Sequence, residues 1–273
     1  MKKRVPPLIL LCVFAFLLSA CTPQKNINLS EYQEYYKKSV ENSMNADIYY
    51  FQENRLNGQE TKIREANVYA LKDDDGNVVK SDDGSYQNHF IYATDKSDGT
   101  EYYAGASPSS SVKDKTQECC LKKVMDGENM IRTCQLMTAS EFYHSEEFKP
   151  YRMESLIGEL QELSFDDMDF TTDKAKFEEK LRLRSIAFAV KPEYLENYLA
   201  EHGENSLFAG SEYIEIEMAY ERITQIVIYQ EQEIERFQTS REAYNLKIAY
   251  YGPIIHMPSY DEQEKEQDIW RKI

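Results

Sequence analysis

Cys119, Cys120 and Cys134 flank Asp126-Gly127, a dipeptide that favours a tight hairpin because both central positions of the turn need positive φ. Residues opposed in an antiparallel ladder have Cα atoms about 4.5 to 5.5 Å apart, inside the roughly 4.4 to 6.8 Å that a disulfide spans. If Asp126 and Gly127 are the whole loop, opposed residues have numbers summing to 253 and Cys119 faces Cys134. A loop of Asp126, Gly127 and Glu128 shifts the sum to 254 and brings Cys120 opposite instead. A disulfide from Cys119 to Cys134 is the preferred expectation, with Cys120 left over and three free thiols as the alternative. No C-x-x-C spacing suggests redox chemistry. Other chemistry is poorly supplied. His89, His144, His202 and His256 lie far apart, and the chain has no G-x-S-x-G elbow, no H-E-x-x-H, no phosphate-cradling G-x-x-x-x-G-K and no dinucleotide G-x-G-x-x-G. The acidic turns "DDDG" and "SDDG" fail as calcium loops. Placing Gly76 or Gly84 at the sixth position puts Leu71 or Val79 at the first, where a carboxylate is needed. The expectation is therefore a protein that is not an enzyme, with no metal and no cofactor.

A different kind of chemistry is suggested by Cys21. Lys2, Lys3 and Arg4 open the chain, Leu8 to Leu18 is an uncharged apolar run, and Ser19 and Ala20 are the small residues a signal peptidase needs. The run is shorter than the roughly 20 apolar residues of a spanning helix. Leu18-Ser19-Ala20-Cys21 resembles the lipobox of bacterial lipoproteins, which implies cleavage before Cys21 and transfer of a diacylglycerol to its thiol. Residues 1–20 are thus expected to be a lipoprotein signal peptide and 21–28 a tether. The mature protein would be extracytoplasmic and lipid-anchored to the bacterial cell membrane through Cys21.

Charge limits the partners. Residues 1–20 carry three positive and no negative charges, so their removal takes the formal charge from -16 to -19. A phosphate backbone would be repelled, and no basic stripe offsets that, so nucleic acid is not an expected partner. The 21 tyrosines suggest broad, half-wet sheet faces, since tyrosine suits strands and keeps a polar tip.

The elements follow from periodicity. Ser30 and Gln33 form a capping box for a helix from about Glu31 to Ser43. From Asp47 to Leu136, short strands alternate with Asn57-Gly58, Asp75-Gly76, Asp83-Gly84, Asp98-Gly99 and Asp126-Gly127, which predicts an antiparallel meander. Helices follow between Ser140 and Leu163, broken near Pro150, with Met153, Leu156, Ile157 and Leu160 at core spacing. Then come "SIAFAV", a helix from Pro192 to His202, and the strands "EYIEIEMAYE", "RITQIVIYQE" and "AYNLKIAYYG". Ile214, Ile216, Met218 and Tyr220 share one face of the first of these, and Leu246, Ile248 and Tyr250 one face of the third.

This order, with "KPEYLENYLAEHG" and a closing "AYYGPIIHMP", resembles the LolA/LppX-like superfamily of envelope lipoproteins, and in particular Gram-positive lipoproteins sharing the stretch seen at Tyr251, Gly252, Pro253 and Pro258. The resemblance implies an α+β fold over residues 29–260: a strongly curved antiparallel sheet, a LolA-like half-barrel, with helices covering its concave face. Residues 261–273 would be a charged tail carrying Trp270. It further implies that the concave side holds a lipid or other apolar molecule. Phe188, Ile216, Met218, Tyr220, Ile226, Ile228, Leu246, Ile248 and Tyr250 are then the candidate liners. The same residues serve equally as a closed core, in which case the protein is a structural or regulatory envelope lipoprotein working through protein partners. A hydrolase would require a histidine and a carboxylate converging in a cleft.

Overall fold

The structure is a computed structural model that describes residues 28–57, 60–70, 90–107, 117–127, 129–135, 137–180, 182–203, 206–234 and 237–250. The chain divides into two compact units, Met1–Glu34 and Tyr35–Ile273. Of the first, residues 28–34 are described and hold the start of helix α1 (Leu29–Met44). The helix begins earlier than the capping box at Ser30 predicts. The Asn28 carbonyl accepts from the Tyr32 amide (3.2 Å), so Asn28 occupies the cap and Ser30 lies in the first turn.

In the second unit the predicted meander is present. Strands β1 (Tyr49–Asn57), β2 (Glu60–Tyr69), β3 (Phe90–Asp95), β4 (Thr100–Ser107), β5 (Gln117–Asp126) and β6 (Asn129–Gln135) pair in sequence order, all antiparallel. Asp98-Gly99 ends the turn between β3 and β4, with Gly99 at φ 72°. The turns at Asp75-Gly76 and Asp83-Gly84 lie outside the described residues. Short helices come next: α2 (Ala139–His144), a 3-10 turn at Lys149–Tyr151 carrying Pro150, α3 (Met153–Ile157) and α4 (Glu159–Glu162). The remaining elements are β7 (Met168–Asp169), β8 (Lys176–Lys180), β9 (Leu183–Val190), α5 (Pro192–His202), β10 (Tyr213–Ala219), β11 (Arg222–Ile234) and β12 (Phe237–Ala249).

The described strands make one open, antiparallel, twelve-stranded sheet in the order β6-β5-β4-β3-β2-β1-β12-β11-β10-β9-β7, with β8 also on β9. The last strand pairs with the first, Phe51 facing Ile248 and Glu53 facing Leu246. Alternation then places Tyr49 and Phe51, Ala66 and Val68, Ile91 and Ala93, Ile214, Ile216 and Met218, and Leu246 and Ile248 on one apolar face, all at most 5 % exposed.

Two registers differ from expectation. In the β5–β6 hairpin Asp126 faces Asn129, so opposed numbers sum to 255, two higher than the preferred alternative predicts and one higher than the other. Cys134 consequently faces Leu121, and Cys119 faces Gly105 of β4, so neither Cys119 nor Cys120 opposes Cys134. The register thus corrects the expected opposition; the side chains of Cys119 and Cys134 lie outside the described residues. The second difference is at Tyr220. Ala219 pairs with Arg222, which leaves Tyr220 and Glu221 as a two-residue loop with φ of 52° and 54°. The alternation stops where the chain turns, and Tyr220 is 69 % exposed rather than on the apolar face.

Left-handed backbone at two non-glycine residues is costly, and neighbours hold it in place. The Glu221 amide donates to the Tyr35 hydroxyl (2.9 Å), Asn42 donates to the Glu221 carbonyl (3.0 Å), and Arg182 lies over the Tyr220 ring. Replacing the pair by Asn-Gly (Y220N/E221G) should relieve this strain. The double variant is expected to gain about 1 kcal/mol in urea unfolding; a clear loss would mean that the side-chain contacts outweigh the backbone conformation.

Candidate functional site

The apolar face is the predicted ligand surface, so what lies against it decides its use. Helices α2 to α4 and their connections supply Phe142, Phe148, Leu156, Ile157, Leu160 and Leu163, each at most 2 % exposed. Met153, Leu156, Ile157 and Leu160 are all in the core, as their spacing predicts. These helices are too short to be stable alone, so burial and caps hold them. α2 begins with a full capping box: the Glu141 amide donates to Thr138 Oγ1 (3.0 Å) and the Thr138 amide to the Glu141 carboxylate (2.7 Å).

Aromatic rings join helices and sheet. Tyr102 of β4 meets Phe142 at 5.2 Å, Phe142 meets Phe148 at 5.3 Å, Phe148 stacks on Tyr151 at 5.6 Å, and Tyr151 reaches Phe51 at 6.3 Å. Phe170 fills the other end, 4.8 Å from Phe177 and 5.9 Å from Phe188. Phenol tips are satisfied by helix carbonyls. Tyr36 donates to Leu160 (2.8 Å) and Tyr49 to Tyr151 (3.2 Å).

Of the nine candidate liners, Phe188, Ile216, Met218, Ile226 and Leu246 have no accessible surface, while Ile228 and Ile248 have 2 % and 5 %. An enclosed cavity able to admit an acyl chain would leave accessible area on the side chains that wall it; these five have none. Tyr250 is half-buried just past β12, where its hydroxyl donates to the Ile223 carbonyl and meets Ser43 Oγ, both at 2.7 Å. Tyr220 is in the exposed turn. The closing stretch from Tyr251 to Pro258, like Cys21 and Trp270, lies outside the described residues.

The outward face of the sheet is half-wet, as the tyrosine count suggests. Tyr92 and Tyr103 meet at 5.0 Å, Lys123 sits 4.9 Å over Tyr103, and Tyr213 stacks on Tyr229 at 4.3 Å. Glu65 pairs with Lys96 at 3.0 Å on the same face.

Two concavities open beside the filled core. One, about 220 Å³, is lined by Asp47, Ser140, Tyr143 and His144 among others. A serine, a histidine and a carboxylate thus border one cleft, which raises the hydrolase question. The triad logic is not met: among the described residues His144 makes no hydrogen bond or ion pair to Asp47 or Ser140, and it is exposed at the end of α2. The second, about 170 Å³, lies where β1, β11 and β12 meet the turn at residues 206–209. Both are smaller than the roughly 300 to 1,000 Å³ of drug-sized ligand sites.

Beside the second concavity is a buried charge cluster that periodicity missed. Glu53, 2 % exposed, points to the apolar face and is held by Arg64, whose Nη2 is 2.5 Å from its carboxylate. Arg55 approaches the other carboxylate oxygen only to 3.8 Å and lies over the Tyr244 ring at 5.2 Å. Burial, followed by the nearby Glu53 charge, pushes the Tyr244 phenol well above its usual range, so it stays protonated. A signal existed in the sequence: Glu53 and Arg55 continue the alternate positions that Tyr49 and Phe51 begin in the same strand. Among the described residues no group of three or more His, Cys, Asp or Glu could hold a metal ion, and no helix is long and apolar enough to cross a membrane.

No protein-family model matches the chain, and no curated protein is similar to it.

The buried phenols give the fold a pH limit. Burial raises Tyr36, Tyr49 and Tyr244 above the usual phenol range and moves Tyr250 to about 12. Below about pH 10 these groups are neutral folded or unfolded, and stability is at its full value. Above it the unfolded chain ionises first, so stability falls as pH rises through the folded values. Thermal melting should hold steady to about pH 10 and then drop, with tyrosinate absorbance rising in one step as the fold is lost. A smooth titration of all tyrosines with the fold intact would contradict this burial.

Proposed function

We propose that the protein is a lipid-anchored extracytoplasmic protein, built on a LolA-like half-barrel whose concave face is filled by its own helices. It acts through protein contacts in the cell envelope and not through catalysis. The observation that carries this reading is the burial of Phe188, Ile216, Met218, Ile226 and Leu246 without accessible surface. A lipid carrier on this scaffold needs open volume on the concave side, whereas these residues have no surface for a ligand to touch.

The half-exposed tyrosines of the outward face supply the contact chemistry. Rigid rings with a polar tip and few rotatable bonds bind partners at low entropic cost, which is why they are enriched at interfaces. Tyr50, Tyr92 and Tyr103 sit on neighbouring strands of that face, with Glu65, Glu101 and Lys123 beside them. The anchor is supported by the order of positive start, apolar run, small residues and Cys21.

Two measurements test the reading. Cys21→Ala is expected to abolish labelling by an alkyne fatty acid in a bacterial host; labelling that persists would remove the anchor from the proposal. Ile216→Trp separates a filled core from a cavity. Overpacking should cost about 1 to 3 kcal/mol in urea unfolding, and native mass spectrometry of protein purified without detergent should show the bare chain. Acyl lipid bound to the native protein, displaced by a tryptophan variant of undiminished stability, would restore the carrier.

A further inference from the structure

We infer that the outer edge of β6 is the docking site for a second copy of this chain, the two β6 strands pairing antiparallel about a two-fold axis so that one sheet runs through both copies. The surface is distinct from the tyrosine face and from the filled core, and it does not depend on how the chain is anchored.

The open sheet ends in two edges that differ in chemistry. At one end is β8, "KFEEK", where Glu178 pairs with Lys176 (2.9 Å) and Lys180 (3.3 Å), lysines whose side chains are 53 % and 71 % exposed. Charge placed along an edge keeps other strands away. At the other end β6, "NMIRTCQ", has one charged residue, no proline and no bulge in its pairing with β5, and among the described residues no strand lies beyond it. A strand so placed presents a row of amides and carbonyls that templates a further strand. Exposure divides the same way. Of the five large apolar side chains exposed among the described residues, Met125 (41 %), Met130 (51 %) and Ile131 (44 %) belong to the β5–β6 hairpin. Met130 and Ile131 lie on opposite faces, so the edge is apolar on both sides.

Charge selects the occupant. The chain has a formal charge of -16, yet residues 117–135 set Lys122, Lys123 and Arg132 against Glu118, Asp126 and Glu128, a net of zero. A basic partner would be drawn to acidic surface elsewhere, whereas a second, equally acidic copy meets least repulsion here. Asp126 and Asn129, both exposed, close the hairpin tip, so a lipid surface would have to dehydrate a carboxylate before reaching Met125 or Met130. Symmetry then fixes the register. A two-fold axis perpendicular to the sheet makes β6 antiparallel to its own copy and keeps every residue on its own face, so opposed numbers sum to an even value. Centring on Arg132 would set guanidinium against guanidinium. Centring on Ile131 opposes Ile131 with itself, Met130 with Arg132 and Asn129 with Thr133, with no like charges facing. Val124 already faces Ile131 within the chain, so these two and their copies form one apolar row across the junction.

The test is sedimentation equilibrium of the full chain in density-matched detergent. The mass should rise from one copy to two in the micromolar range, because a contact of one strand with another is a small interface. Ile131→Lys sets like charges face to face and should weaken the dimer at least about tenfold, with the melting temperature unchanged because the side chain is exposed in the single copy. Leu29→Lys, the same change at a side chain 48 % exposed on α1, should leave the dimer intact. Ile131→Cys tests the register independently. Opposed residues of an antiparallel ladder lie within disulfide reach, so mild oxidation should give a dimer in which peptide mass spectrometry finds position 131 joined to position 131. One copy at every concentration, a dimer that Ile131→Lys leaves intact, or a dimer that oxidation does not join at position 131 overturns the inference. A single copy that binds phosphatidylglycerol vesicles and loses them on Ile131→Lys overturns it in favour of a lipid surface.

Discussion

The pairing of β1 with β12 is the contact on which the other arrangements rest. It joins residues almost two hundred positions apart, Tyr50 with Ala249 and Arg55 with Tyr244, and turns a six-strand meander and a C-terminal group of strands into a single sheet. Without it each part would have an exposed edge and half an apolar face. With it, Phe51 faces Ile248, and Leu246, Ile226 and Ile216 run side by side across the next three strands. A ladder of such separation carries a large loop-closure cost, which only a broad buried face can offset. The chain between the two groups of strands, residues 137–167, therefore has to supply the cover for that face, and it does so with Phe142, Phe148, Leu156 and Leu160.

Covering a sheet with short helices brings its own constraint. Helices of four to six residues gain little from their internal hydrogen bonds, so side chains fix their positions. The rings of Tyr36, Tyr49, Phe51 and Tyr102 are well suited to this, because they bury large area and the hydroxyls of Tyr36 and Tyr49 reach carbonyls of the covering segment. The same packing removes room for a ligand. A face that depends on interdigitated rings from its own cover cannot also be an open acyl-chain groove unless that cover moves.

Alternation and spacing made much of this legible in the sequence. The meander, the α5 boundaries at Pro192 and His202, the core positions of α3 and α4, and the inward residues of β10 and β12 all follow from local rules. What local rules could not supply was register and long-range pairing. A one-residue difference in the β5–β6 loop placed Leu121 and not a cysteine opposite Cys134, and both expected loops contain the same glycine. Tyr220 has the right parity for the apolar face, yet tertiary contacts from Tyr35 and Asn42 hold a turn there that no glycine announces. The pairing that brings Arg55 to Tyr244 is invisible to any window of sequence, and with it the concavity they share.

Glu53 shows what a charged group in this core requires. A carboxylate on the inward face is tolerated only with a partner, and Arg64 provides one close enough to neutralise it. Alternation then sets Arg55 on the same face two residues on, at the open end of the sheet, where Glu53 is already satisfied. The second arginine approaches the same carboxylate at 3.8 Å and lies over the ring of Tyr244, whose buried phenol stays protonated beside Glu53.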